Sequence, residues 1–229
     1  MAEEINYEEA LEYIKDLNDQ LTTKLPHSVD RWSISHLAKL PFKVMSLRGI
    51  LMYRVLELSK SAYQLYEARS LISAFVLSRA AVETSALQFS LLKHMRRVVR
   101  EQQVGDVDDF LMRALFGKRT PDCDLPALNV LTLIDHMDRE SGGVRNLYDF
   151  LCEYTHPNYS GSYGAYGSED QEKYRLNLGA DFERINWQPA VMTHLITVRE
   201  FIKNCGEISD LLPDFTGVCE ADLARKGIM

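Results

Sequence analysis

Cysteine is scarce and scattered: Cys123, Cys152, Cys205 and Cys219 stand far apart among 229 residues, with no CxxC pair. That spacing excludes zinc-knuckle and thioredoxin-type redox motifs. Basic residues are outnumbered, 26 against 33 acidic, and a net charge of −7 argues against broad electrostatic binding to duplex DNA or anionic membrane. The N-terminal stretch MAEEINYEEA is acidic and opens a helix instead of carrying the cationic, apolar pattern of a secretory leader. Free thiols in a reducing cytoplasm are the expectation. No internal repeat and no second composition regime interrupts the chain, and its 46% hydrophobic and 26% charged residues are an ordinary globular balance.

Charge is also missing where it would be most expected. Between Ser70 and Leu92, 23 residues carry only two charged side chains, Arg79 and Glu83, and the rest is apolar or small on every side. Such a segment reads as a buried helix. It is long enough to span a bilayer, but the charges would sit near the midplane and six Ser or Thr dilute it, so no membrane partner is expected. Four residues apart, Arg79 and Glu83 lie on one helix face. Arg before Glu is the weaker order for an intrahelical pair, so partners on another helix are expected, among them Tyr148, Asp149 or His156. His94, Arg96, Arg97 and Arg100 close the helix, where cations suit its dipole.

The remaining periodicity is helical almost throughout. Asn6 and Glu9 form a capping-box pattern, Pro41 opens a long helix that should form an antiparallel hairpin with the Ser70–Glu101 helix, and Pro189 suits the first turn of a last one. The spacing predicts an all-α antiparallel bundle. The chain divides into an N-terminal helical segment (1–40), a main helical domain (41–212) and a loosely packed tail after Pro213 (213–229). A Gly/Ser/Tyr loop, NYSGSYGAYGSEDQEK, and a short strand over KYRLNL make a β-like excursion.

The helix from Val144 to His156 carries the second signal. Arg145, Asp149, Cys152 and His156 form one narrow stripe with Tyr148 at its edge, opposite Leu147, Phe150, Leu151 and Tyr154. A plain amphipathic helix has this pattern too. Three features point further: His156 stands where the partial negative charge of the helix end attracts a cation, Pro157 stops the helix there, and a glycine- and tyrosine-rich loop follows. Asn158, Tyr159 and Tyr163 lie in that loop, whose tyrosines either stack on unpaired bases or pack against one another. A di-iron site would need a second Glu-x-x-His and two further glutamates. A Cys152–His156 nucleophile pair lacks an orienting third group. Neither a metal nor a cofactor is expected.

Two segments, LSRAAVETSALQFSLL and LYDFLCEYTHPNYS, resemble a bacterial branch of the HEPN superfamily over roughly residues 45 to 205. The resemblance implies a helical bundle, often a homodimer. It also implies either a metal-independent endoribonuclease of a toxin–antitoxin or defence system, or a non-catalytic module that binds RNA, a nucleotide or a partner protein such as an antitoxin. In the ribonuclease members an Arg precedes the His by four to six intervening residues. That spacing falls here on Asp149, Phe150 and Leu151, while Arg145 is eleven residues from His156, roughly 16 Å along the axis. The resemblance implies His156 as general acid or base; with the family's arginine position unfilled, Arg79 or an arginine from a dimer partner would complete the site, and the expectation is Arg79 as phosphate clamp with Glu83 orienting it. Tyr148, Asp149, Cys152, Arg145, Asn158, Tyr159 and Tyr163 would shape the binding site.

Overall fold

A computed structural model describes residues 6–120 and 124–227; Cys123 lies outside the described residues. The first helix, α1 (Tyr7–Thr23), starts at the expected capping box: Asn6 Oδ1 accepts the Glu9 N–H at 2.9 Å and Glu9 Oε2 accepts the Asn6 N–H at 3.2 Å. After the short α2 (Arg31–Ile34), Pro41 sits in the first turn of α3 (Leu40–Glu67). Only Ala68, Arg69 and Ser70 separate it from α4 (Leu71–Glu101), with Arg69 in the left-handed region that turns the chain back. There follow α5 (Val107–Phe116), α6 (Val130–Ser141) and α7 (Val144–Thr155).

Helix α4 runs through both hydrophobic clusters of the bundle, which is why its sequence is apolar all round. One cluster gathers Val44, Leu51 and Val55 of α3, Leu91 and Met95 of α4, and Val107 and Leu111 of α5. The other gathers Tyr7, Ala10 and Ile14 of α1, Phe75 and Val82 of α4, Ile134 of α6 and Leu151 of α7. The Tyr7 hydroxyl donates to the Tyr66 carbonyl at 2.7 Å, tying the N-terminal segment to the end of α3. No helix among the described residues is long and apolar enough to cross a membrane.

The expected loop after Pro157 is wound instead. Tyr159–Tyr163 forms a π-helical turn that runs into one further turn, α8 (Gly164–Tyr166). Then β1 (Gly167–Asp170) pairs antiparallel with β2 (Arg175–Leu178), Gly167 opposite Leu178. The Asn158 side chain makes the winding possible by accepting the Gly161 N–H at 2.9 Å.

The tail after Pro213 is not loosely packed. Helix α9 (Gln188–Arg225) continues through that proline, and Phe215, Val218 and Cys219 are buried. An interior proline costs about 3 kcal/mol through its lost hydrogen bond and ring clash. Burying Phe215 and Val218 contributes roughly 1.5–3 kcal/mol each, which with the smaller share of Cys219 offsets that cost.

Candidate functional site

Helices α4 and α7 meet around one hydroxyl. Tyr148 OH donates to Glu83 Oε1 at 2.8 Å and accepts from Arg79 Nε at 3.2 Å. Arg79 Nη1 reaches Thr155 Oγ1 at 3.4 Å, Arg79 Nη2 lies 3.4 Å from Glu83 Oε1, and the guanidinium carbon is 5.4 Å from the centre of the Tyr148 ring. The charged pair thus finds its partners on a second helix, as its order on α4 suggests. Burial pushes the Tyr148 phenol up to about 12, with the hydrogen bond to Glu83 adding to it and Arg79 opposing, so the hydroxyl stays protonated and donates.

One expectation is corrected. Arg79 and Glu83 are half-buried, with side chains 33% and 26% exposed, because they sit where α4 emerges beside an open cleft of about 520 Å³. Tyr148 is buried where α4, α6 and α7 meet, and it lines the same cleft.

The stripe itself divides. Arg145 binds Asp149 at 3.0 Å and Asp135 of α6 at 2.8 Å, and its backbone N–H donates to Asp138 at 3.0 Å; these contacts fasten the start of α7 to α6. Neither Arg145 nor Asp149 joins the Arg79 network. Cys152 is half-buried against the second cluster. His156 caps α7 with its side chain exposed and without a hydrogen-bond partner among the described residues. Asn158 is spent on the turn.

Tyr159 and Tyr163 remain available. Their rings stack at 5.6 Å between centroids with 27° between planes, and Tyr159 is 71% exposed. The Tyr163 hydroxyl donates to Glu169 on β1, which holds its ring. Tyr163, Tyr174, Gln171 and Arg175 line an open cleft of about 610 Å³ together with Glu169 and Asp170. The arrangement offers flat aromatic faces beside the end of α7, one arginine reaching that end from α4, and a solvent-facing imidazole.

The cations at the end of α4 are neutralised within the fold. Lys93 pairs with Glu140 at 2.6 Å, Arg100 with Glu101 at 2.8 Å, Arg96 with Glu207 and Arg97 with Asp106. His94 stacks on Phe110 at 4.2 Å, and burial, reinforced by Arg97, lowers its pKa.

Sequence reading misses Arg119 and Asn129, which line the cleft opposite Tyr148. No periodicity marks either residue. Arg119 is placed by the chain returning on itself, where the Lys118 N–H donates to the Leu125 carbonyl at 3.1 Å and the Ala127 N–H to the Lys118 carbonyl at 3.2 Å. No family model, curated protein or solved structure matches the chain.

Proposed function

We propose that this is a HEPN-like RNA-binding module that takes single-stranded RNA at the C-terminal end of α7. The observation that carries the reading is the stacked, exposed Tyr159–Tyr163 pair set directly after the helix end that Arg79 reaches and His156 caps. Unpaired bases stack on such rings at about 1–3 kcal/mol each, and stacking needs no positive field, which suits an acidic chain. Arg79 and His156 then meet one or two phosphates.

Fluorescence anisotropy with a labelled single-stranded oligoribonucleotide tests this. Tyr159→Ala should weaken binding roughly 5- to 150-fold, the equivalent of one lost stack. Unchanged affinity in Tyr159→Ala and Tyr163→Ala, or no binding by the intact chain at low salt, refutes it.

A second reading, a metal-independent endoribonuclease, is favoured by the contact of Arg79 with Thr155, the residue before His156. Here Arg79 would stabilise the charge on phosphorus, Glu83 would hold Arg79, and His156 would move the proton of the 2′-hydroxyl. It ranks second because no hydrogen bond among the described residues fixes the tautomer or direction of the His156 ring, as a general base requires. Cleavage in EDTA that leaves cyclic phosphate ends and disappears in His156→Ala would promote it; intact RNA after incubation with the purified chain would end it.

A further inference from the structure

A groove runs from α3 across α4 to the strap between α5 and α6. Leu47, Leu51, Leu87, Leu115, Leu128 and Leu133 floor it, and the enclosed part measures about 340 Å³. It opens past Glu83 and Val130 into the cleft at Arg79 and Tyr148. Large apolar side chains are exposed here: Ile50, 57% exposed, lines the groove; Leu131, 44%, lines the adjoining cleft; and Phe116, 59%, stands in sequence between the lining residues Leu115 and Gly117. One such residue on a surface is ordinary; exposed apolar side chains gathered at a groove with an aliphatic floor are the feature that marks an interaction site.

Two of the arginines at the groove have carboxylate partners and, among the described residues, two do not. Arg113 pairs with Asp109 at 3.9 Å and donates to the carbonyls of Pro126 at 3.0 Å and Ala127 at 3.4 Å, and Arg79 pairs with Glu83 at 3.4 Å. Arg54 and Arg119 have no carboxylate within ion-pair distance among the described residues, in a chain whose acids exceed its bases by seven. The Arg54 Nε donates to Thr84 Oγ1 at 3.2 Å, which steadies the side chain along α4 and leaves its outer nitrogens free. Arg119 is exposed and makes no hydrogen bond among the described residues.

We infer that this groove docks an amphipathic, acidic helix of a partner protein. Its aliphatic side chains, repeating at three- and four-residue spacing, would fill the leucine floor, and its carboxylates would meet Arg54 and Arg119. A small anion would satisfy the arginines but leave Ile50, Phe116 and Leu131 in water. A nucleic acid would find no ring in the floor to stack upon. The occupant is therefore both apolar and acidic, and the inference does not depend on RNA binding elsewhere on the chain.

The test is selection of phage-displayed random peptides of about sixteen residues, long enough for a helix, against the full chain. The enriched peptides should carry aliphatic residues at helical spacing with a net negative charge. Synthetic versions should lose affinity by about tenfold or more in the Arg54→Glu, Arg119→Glu double variant, and peptides with Lys replacing the acids should recover it. Both arginines are solvent-facing, so an unchanged circular dichroism melt will verify that the variant folds. Failure to enrich any peptide, enrichment of basic or neutral peptides, or binding indifferent to the double variant overturns the inference. So does a loss of single-stranded RNA affinity in that variant without a loss of peptide affinity, which would give the groove to RNA.

Discussion

Replacing Tyr148 by Phe removes one oxygen atom and little else. The buried ring, its packing against α4 and its face toward the Arg79 guanidinium all remain. What goes is the donor to Glu83 at 2.8 Å and the acceptor for Arg79 at 3.2 Å. A hydrogen bond to a charged group contributes roughly 1.5–3 kcal/mol when the site is dry. Here the partners are 33% and 26% exposed, and Arg79 keeps its contacts to Glu83 and Thr155, so water and the surviving ion pair recover part of the loss. A cost of about 1–2 kcal/mol follows, or a thermal midpoint lower by roughly 2–8 °C for a chain of this length. Urea unfolding of the wild type, Tyr148→Phe, Glu83→Gln and the double variant gives the coupling directly, expected at about 1 kcal/mol. A Tyr148→Phe variant within about 0.5 kcal/mol of wild type, with the same denaturant slope, would show that the hydroxyl does not join the two helices.

His194 is completely buried, its Nε2 2.9 Å from Ser59 Oγ and its Nδ1 without a hydrogen-bond partner among the described residues, and burial lowers its pKa from 6.5 to about 4. The unfolded chain therefore takes up the proton first. Stability should be full above about pH 6.5 and fall as pH drops toward 4, by a limit on the order of 3 kcal/mol. Urea midpoints across that range should fall more steeply for wild type than for His194→Gln; parallel curves would refute the assignment. At Gly161, a Cβ atom would run into the carbonyl oxygens of His156 and Tyr154. Gly161→Ala should therefore open the turn after α7 and weaken RNA binding at least as much as Tyr159→Ala does, which the same anisotropy titration would reveal.

The fold was legible wherever one helix decides its own ends. The Asn6–Glu9 box, Pro41 in the first turn of α3 and Pro189 near the start of α9 are local chemistry, and the structure places all three as expected. The site was legible only as a pair needing a partner. A helical wheel describes one element, whereas the burial of Tyr148 is decided where α4, α6 and α7 meet. The continuation of α9 through Pro213 was hidden for the same reason, since packing of Phe215, Val218 and Cys219 overrides a local signal to stop. Arg79 and Glu83 come from a segment that reads as buried on every side, yet both side chains are partly exposed, because the packing around α4 decides where that helix meets solvent. Arg54 and Arg119 gave no sequence signal because only tertiary structure brings them to one groove.

The most direct test of the RNA reading is photocrosslinking with a 4-thiouridine-substituted single-stranded RNA, followed by mass spectrometry of the attached peptides. Stacking on the exposed rings puts the photoreactive base against Tyr159 or Tyr163. Crosslinks should therefore concentrate on residues 157–166 and disappear in the Tyr159→Ala, Tyr163→Ala double variant. Crosslinks that fall elsewhere, or that persist at full yield in the double variant, would contradict the assignment of the α7 end as the RNA site.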